Sequence, residues 1–400
     1  MALPITQFTA APGTIDLAWG HPDPDLLSAD LLSRASERAL RRHGADALAY
    51  GASQGAGPLI EALGEHLAEI DGRAPSLDEI LVTAGASAGL DQVATLLCQP
   101  GDVVLVESPT YHLAVRILRD HPVELFPVTR GSTGIEADAV ARAVREVRSR
   151  GRIPRLLYSV TTFANPTSGT LPQADRVRLA QVARNEDLII VEDDTYRELW
   201  YDAPPPPSVW AVAGGANVIR LGSFSKTLAP GLRLGYLTAP AETVSLFAQG
   251  GLLDSGGGNA HMTALIVAEL IERGHYRRLV DDLRSSYRER RDALVEELRN
   301  LGLAFDLPAG GYFTWVDIGQ RANGTLLDQA RRAGTNYVPG DVFFVQPATS
   351  SHIRVSFSRY SADQLREGAR RLGQALERSG RRPDLVDPTT SIEGSDEIPV

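Results

Sequence analysis

Four hundred residues, 43% of them hydrophobic, are enough for two or three domains of about 150 residues around a substantial core. A formal net charge of −10 argues against a nucleic-acid binder or a membrane-surface protein, and the single cysteine, Cys98, excludes an intramolecular disulfide and reads as a core thiol. Eight scattered histidines give no metal-ligand spacing, and no basic-then-apolar leader or apolar run of about 18 residues stands out, so a cytoplasmic protein without a metal is expected.

Residues 1–20 read as an extended arm that turns at Gly20-His21-Pro22 into a helix over 28–43, with Ser28 as its cap. The glycine-punctuated loop Tyr50-Gly51-Ala52-Ser53-Gln54-Gly55 precedes a helix over 58–70, where Leu59, Leu63, Leu67 and Ile70 share one face. Strands over 79–83, 103–106, 124–127, 155–160, 188–191, 218–221 and 234–237 then follow. They are interleaved with helices beginning at Ser87 and spanning 111–120, 137–150 and 173–185. This alternation predicts an α/β fold with a doubly wound, mostly parallel sheet. Leu188-Ile189-Ile190-Val191 is apolar throughout, as a strand covered on both faces must be. The proline run at 204–207 reads as a stiff surface loop. A long helix over 274–301 leads into a smaller α+β domain with strands near 311–316 and 353–357 and a closing helix over 361–377. The expected division is an N-terminal arm and helix (1–45) packing with the small domain, a large domain (46–280), the small domain (281–378) and a disordered tail (379–400). No internal repeat is present.

Lys226 is the only lysine among 40 Lys and Arg residues. Arginine supplies every other side-chain cation, so position 226 calls for an amine that can lose its proton. Schiff-base chemistry needs one, and a guanidinium cannot serve. Ligands of open α/β sheets gather beyond the carboxyl ends of the strands. There Gly85-Ala86-Ser87 opens a helix whose free amides suit a phosphate. Ser223, Ser225 and Arg233 add hydroxyls and a guanidinium fork. Glu192-Asp193-Asp194 crowds three carboxylates at one strand end, so at least one needs a cationic partner. Gly20 suits a close approach of backbone to ligand. An anion cradle, an imine-forming amine and an acid able to pair with a protonated ring nitrogen are together what pyridoxal 5′-phosphate requires.

Eight stretches, taken in order, carry a family resemblance: Tyr50-Gly51 with Gln54-Gly55; Glu107-Ser108-Pro109-Thr110-Tyr111; Asn165-Pro166-Thr167; Asp193 with Tyr196; Ser223-Phe224-Ser225-Lys226 with Arg233; Gly310-Gly311-Tyr312-Phe313; Pro339-Gly340 with Phe343; and Ile353-Arg354-Val355-Ser356-Phe357. Over residues 15–378 the chain resembles fold-type I pyridoxal-phosphate enzymes of the class I/II aminotransferase family, in the branch of 2-aminoadipate and multi-substrate aminotransferases. The resemblance implies conversion of an α-amino acid through an external aldimine and quinonoid, by transamination to a 2-oxo acid. It implies catalytic roles for Lys226 (imine and proton carrier), Asp193 (partner of the ring nitrogen) and Tyr196, which with Asn165 would bond the ring hydroxyl. Tyr111 would stack on the ring. Gly85, Ala86, Ser87, Ser223, Ser225 and Arg233 would hold the phosphate. Tyr50 would reach the cofactor of the neighbouring subunit in a homodimer with shared sites. Arg354 would clamp the substrate carboxylate, near Asn165 and the Gly20 backbone.

The sequence departs from the family pattern at Ser168, where glycine is usual, at Ala164, and at Ala264 and Leu265, where a polar residue is common. These departures are expected around the substrate. They keep open a second chemistry on the same scaffold: β- or γ-elimination, replacement or C–C bond formation in secondary metabolism, for example on S-adenosylmethionine. A transcription regulator carrying this domain behind a winged helix would need about 80 further N-terminal residues with a basic face. A sensor without catalysis would have no need of Lys226, Asp193 and Arg354 together.

Overall fold

The computed structural model describes residues 10–319 and 324–379; apart from Ser379, the expected tail lies outside the described residues. Seven strands form the central sheet in the spatial order Ile80–Thr83, Gly235–Thr238, Val218–Ser223, Ile189–Asp193, Pro154–Ser159, Val103–Ser108 and Glu124–Thr129. The pairings are parallel except for Gly235–Thr238, which runs antiparallel to both its neighbours. The strands are aliphatic on both faces because helices cover both. Val104 and Val106 enter one core, beneath helices Ala86–Leu97 and His112–Arg119. Val103 and Leu105, on the alternate positions, enter another beneath Ala137–Ser149 and Gln173–Asn185.

A smaller domain follows. Its antiparallel sheet has the order Val338–Pro339, His352–Ser356, Phe313–Asp317. Helix Ala362–Arg378 closes over it, started by a capping box between Ser361 and Gln364. The long helix His275–Asn300 joins the two domains. Its Tyr276 and Val280 lie in a core with helix Gly57–Asp71, while Leu294 and Leu298 lie in the small-domain core.

The predicted strands and helices are present, with ends displaced by one or two residues in most cases. Among the described residues, five α-helices were not foreseen: Val209–Val212, Ala241–Ala248, Gly251–Gly256, His261–Glu272 and Gly324–Arg332. Helix His261–Glu272 buries Ala264, Leu265, Val267, Ala268 and Leu270, so it lacks the single apolar stripe that marks a surface helix.

The N-terminal expectation is corrected in one respect. The arm does join the small domain: Ile15–Asp16 pairs in parallel with Thr335–Asn336, and Ile15 and Leu17 are buried with Leu365 and Ala369. Helix Ala29–His43 does not. It buries Ala35 and Ala39 in the core shared by Gly57–Asp71 and His261–Glu272, and Arg42 pairs with Glu269 at 2.8 Å. Two alanines on its inner stripe let it lie close to those helices.

Candidate active site

The carboxyl ends of the parallel strands meet at one edge of the sheet, and the small domain and arm close over it. Lys226 follows strand Val218–Ser223 in a turn whose Ser225 amide donates to Ser223 Oγ at 3.1 Å. Its Nζ donates to the Gly20 carbonyl at 3.2 Å, and it lies 5.7 Å from the Tyr196 ring and 5.6 Å from that of Tyr312. Desolvation above all, helped by Arg354 and Arg233 and opposed by Asp193, brings the amine down to about 8. A side chain at Gly20 would run into the Phe313 ring, so glycine there lets the arm carbonyl approach the amine.

Strand alternation sorts the three crowded carboxylates. Glu192 and Asp194 point to one face and Asp193 to the other. Glu192 accepts from the Val209 and Trp210 amides at 2.9 and 3.0 Å and lies 3.4 Å from Arg176. Asp194 pairs with Arg220 at 2.8 Å and Arg197 at 3.2 Å, and both arginines also pair with buried Asp71. Such a buried cluster holds only while each charge has a counterpart. Asp193 has no ion pair among the described residues. It accepts from the Tyr158 hydroxyl at 2.7 Å and the Thr195 amide at 3.3 Å. Burial pushes its carboxyl up, and those hydrogen bonds only partly offset it. The acid facing the site is therefore the one lacking a cation.

Gly85, at φ 92°, leads into helix Ala86–Leu97, so the Ala86 and Ser87 amides open the helix beside the Lys226 turn. A Cβ on Gly85 would lie 2.8 Å from Arg233 Nη2, which donates to the Ala84 carbonyl at 3.3 Å. One on Gly235 would lie 2.9 Å from Gly85 Cα and 3.1 Å from the Ala86 nitrogen. Two glycines thus bring a helix N-terminus and an arginine against the strand pair that leads into the lysine turn, an arrangement able to hold an anion.

On the other side, Arg354 is buried in strand His352–Ser356. Its Nη1 donates to Asn165 Oδ1 at 2.8 Å and its Nη2 to the Ala18 carbonyl at 2.6 Å, while Nε has no partner among the described residues. The guanidinium lies 4.0 Å over the Phe313 ring, and burial brings it down to about 10. No carboxylate pairs with it among the described residues. Tyr196 is buried, which raises its phenol, and Tyr111 sits at the start of helix His112–Arg119, raised by burial and by Asp193. Tyr50 stands apart: it is 86% exposed, in a loop packed on Gly257.

Sequence reasoning missed Tyr158, Phe313, Tyr312 and the Ala18 carbonyl as site neighbours. The signal for Tyr158 was a tyrosine in the aliphatic run Leu156-Leu157-Tyr158, one strand from Asp193. The expectation that Ala264 and Leu265 face the substrate is corrected: both are buried between helices. Ser168 adopts φ 61°, which explains why glycine suits that position, and its hydroxyl donates to the Phe313 carbonyl. Ala164 is a core residue.

An amine poised to lose its proton, between an anion cradle and an uncompensated acid, is the arrangement of fold-type I pyridoxal-phosphate enzymes, and these residues fit that cofactor. A ring cation would give Asp193 its missing partner. Residues 13–372 match the aminotransferase class I and II family. The 2-aminoadipate transaminase of Thermus thermophilus is 33% identical, over 93% of this chain and 92% of that protein. The multiple substrate aminotransferase of Thermococcus profundus superposes with a TM-score of 0.85 at 28% identity, over 92% of this chain and 93% of its own. An α-aminoadipate aminotransferase of Thermus thermophilus, solved with N-(5′-phosphopyridoxyl)-L-leucine, gives 0.81 at 32% identity, over 92% of each chain. The chain belongs to the aminotransferase class I and II family and is a pyridoxal-phosphate-dependent aminotransferase of amino acids.

Proposed function

We propose that the amino-acid substrate binds with its α-carboxylate on Arg354 and its Cα beside Lys226, and that Lys226 moves the Cα proton. The observation that carries this reading is a buried guanidinium held by Asn165 and the Ala18 carbonyl yet without an acid partner among the described residues. A buried arginine in that state favours a carboxylate, which it can bind with two parallel hydrogen bonds. When bound, pyridoxal phosphate supplies an aldehyde for imine exchange and a ring that takes the electron pair left on Cα. In this reading Asp193 keeps the ring nitrogen protonated, and Asn165 and Tyr196 face the ring hydroxyl. Tyr111 covers the ring. The Gly85-Ala86-Ser87 turn, Ser223, Ser225 and Arg233 take the phosphate. Lys226 Nζ, as a neutral amine, would accept the Cα proton and deliver it onward. No observation favours the elimination or bond-forming chemistries, since Ala264, Leu265 and Ser168 have structural roles.

Mixing the cofactor-loaded protein with single amino acids, without a keto-acid acceptor, should convert its visible band to the pyridoxamine form for the true donors. The panel begins with 2-aminoadipate, after the relative of that name. Arg354→Lys keeps the charge but loses the fork. It should lower kcat/KM by about 10- to 100-fold for amino acids and leave amines lacking the carboxylate unaffected. Unchanged kinetics with amino acids would place the carboxylate elsewhere.

We further propose a cytoplasmic homodimer with shared sites. Leu48 and Leu252 are each 75% exposed and Tyr50 86%, and the Tyr50 loop packs on Gly257, beside the helix that carries Leu252. Exposed apolar side chains grouped in this way mark an interface. Mixing inactive Lys226→Ala chains with Tyr50→Ala chains should restore activity, because one hybrid site keeps both native residues. A monomeric protein, or no restoration, rejects the arrangement. A single unpaired cysteine suits the reducing cytoplasm, which cell fractionation tests.

A further inference from the structure

The Lys226 turn is held on one flank by a side chain of helix His275–Asn300 and on the other by Tyr312, which meets a second side chain of that helix. On one flank the Tyr312 hydroxyl donates to the Lys226 carbonyl at 2.8 Å and lies 3.1 Å from the Tyr287 hydroxyl. A phenol has one proton. Tyr312 faces two acceptors, the Lys226 carbonyl and the Tyr287 hydroxyl, so its one proton is shared between them. On the other flank Thr227 Oγ1 lies 2.8 Å from the Tyr276 hydroxyl, which donates to Glu198 Oε1 at 2.7 Å. The other Glu198 oxygen meets His66 Nε2 at 2.9 Å.

Burial pushes the Glu198 carboxyl up, but the His66 charge and the hydrogen bonds from His66 and Tyr276 outweigh it and hold the group below its usual range. Glu198 is then ionised and can only accept. The Tyr276 proton points at Glu198, so Thr227 must donate to Tyr276. The chain of bonds has one direction, ending on a buried anion. Arg284 Nε, from the same helix, donates to the Glu198 carbonyl at 2.7 Å.

Tyr276 and Tyr287 both lie on helix His275–Asn300, eleven residues apart. Eleven residues make about three turns, so the two side chains share a face, about 16 Å apart along the axis. Tyr312, from the small domain, bridges that span. Tyr276, Tyr287 and Tyr312 are all buried. Phenylalanine would fill a core equally well, and a buried hydroxyl is costly unless bonded. All three hydroxyls are bonded, and both chains end on the two consecutive residues Lys226 and Thr227.

We propose that helix His275–Asn300 positions the reacting amine: Tyr276, anchored by Glu198, and Tyr287, acting through Tyr312, fix the Lys226 turn and carry any shift of the small domain to it. Tyr276, Tyr287, Tyr312 and Glu198 act through the lysine turn and are positioning residues. The proposal rests on the reading of Lys226 as the reacting amine.

Tyr276→Phe and Thr227→Val each delete one hydroxyl and keep the shape. In cofactor-loaded enzyme each should lower kcat about tenfold with KM within twofold. The double variant should be no worse than either single one, because both break the same bond. A second readout uses cofactor-free protein. Lys226 is the only lysine, so amine-selective labelling at a series of pH values, followed by mass spectrometry of its peptide, reports its titration. In both variants that titration should move from about 8 toward the ordinary 10.5 as the amine gains water. Tyr337→Phe is the control. It removes a buried hydroxyl with no hydrogen-bond partner among the described residues and should change neither readout. Wild-type kcat and titration in Tyr276→Phe and Thr227→Val, a loss of thermal stability alone, or losses that add in the double variant would each overturn the proposal. Turnover in Lys226→Ala would instead overturn the reading of Lys226, and the labelling experiment would still report on the turn.

Discussion

Replacing Lys226 with alanine lowers turnover by at least about 10⁴-fold, the upper range for a positioned proton-transfer group. No other lysine exists to take over, and the nearby Arg233 and Arg354 cannot give up a proton. The effect has a pH signature. Lys226 acts as a neutral amine, so the rate rises with pH through about 8 and levels off above it. Lowering the amine from 10.5 to about 8 enlarges its neutral fraction at pH 7 by about 300-fold. Steady-state kinetics of the variant, with its visible spectrum, check the prediction. Turnover within tenfold of the native enzyme would remove Lys226 from the reaction.

Asp193→Asn lowers kcat by about 10³-fold while leaving the fold intact. The amide keeps the size and can still accept from Tyr158, which donates to Asp193 at 2.7 Å. What is lost is the charge facing a ring cation. A pair at about 4 Å in an effective dielectric of about 20 is worth about 4 kcal/mol, and each 1.36 kcal/mol is tenfold in rate. Asp194→Asn offers a contrast. Asp194 is bonded to Arg220 and Arg197 on the opposite face, so its loss should register in urea unfolding more than in kcat. A native kcat in Asp193→Asn would show that the ring nitrogen has another partner.

The sheet was legible because its strands are short aliphatic runs that end at glycine or charge, and the alternation with amphipathic helices admits few topologies. Helix Gln173–Asn185 has the ends its periodicity predicts. Helix His261–Glu272 was not legible, because a segment buried on most sides has no polar face to set a period. The site was legible where the chemistry admits one residue type: Lys226 stood out by being the only amine side chain. Choosing Asp193 over Glu192 and Asp194 took the family motif, and strand alternation with the partners of each gives the physical reason. Ala264 and Leu265 misled because sequence position says nothing of which side of a helix meets the substrate. Glu198, Tyr276 and Thr227 lie far apart in the sequence, and nothing in their local context distinguishes a buried hydrogen-bond chain from surface polarity.

The pairing of Ile15 with Thr335 sets the order in which the molecule can be completed during synthesis. The arm leaves the ribosome well before its strand partner, which follows some 320 residues later. Its Ala18 carbonyl waits for Arg354, 336 residues on, and its Gly20 carbonyl for Lys226, 206 residues on. At about 5–20 residues per second the delay is on the order of tens of seconds. The large sheet and the lysine turn can form in that interval, but the Arg354 guanidinium that adds to the depression of the amine arrives 128 residues after Lys226. The contribution of Arg354 to that depression is therefore absent until residue 354 has been made and its strand has folded against the site.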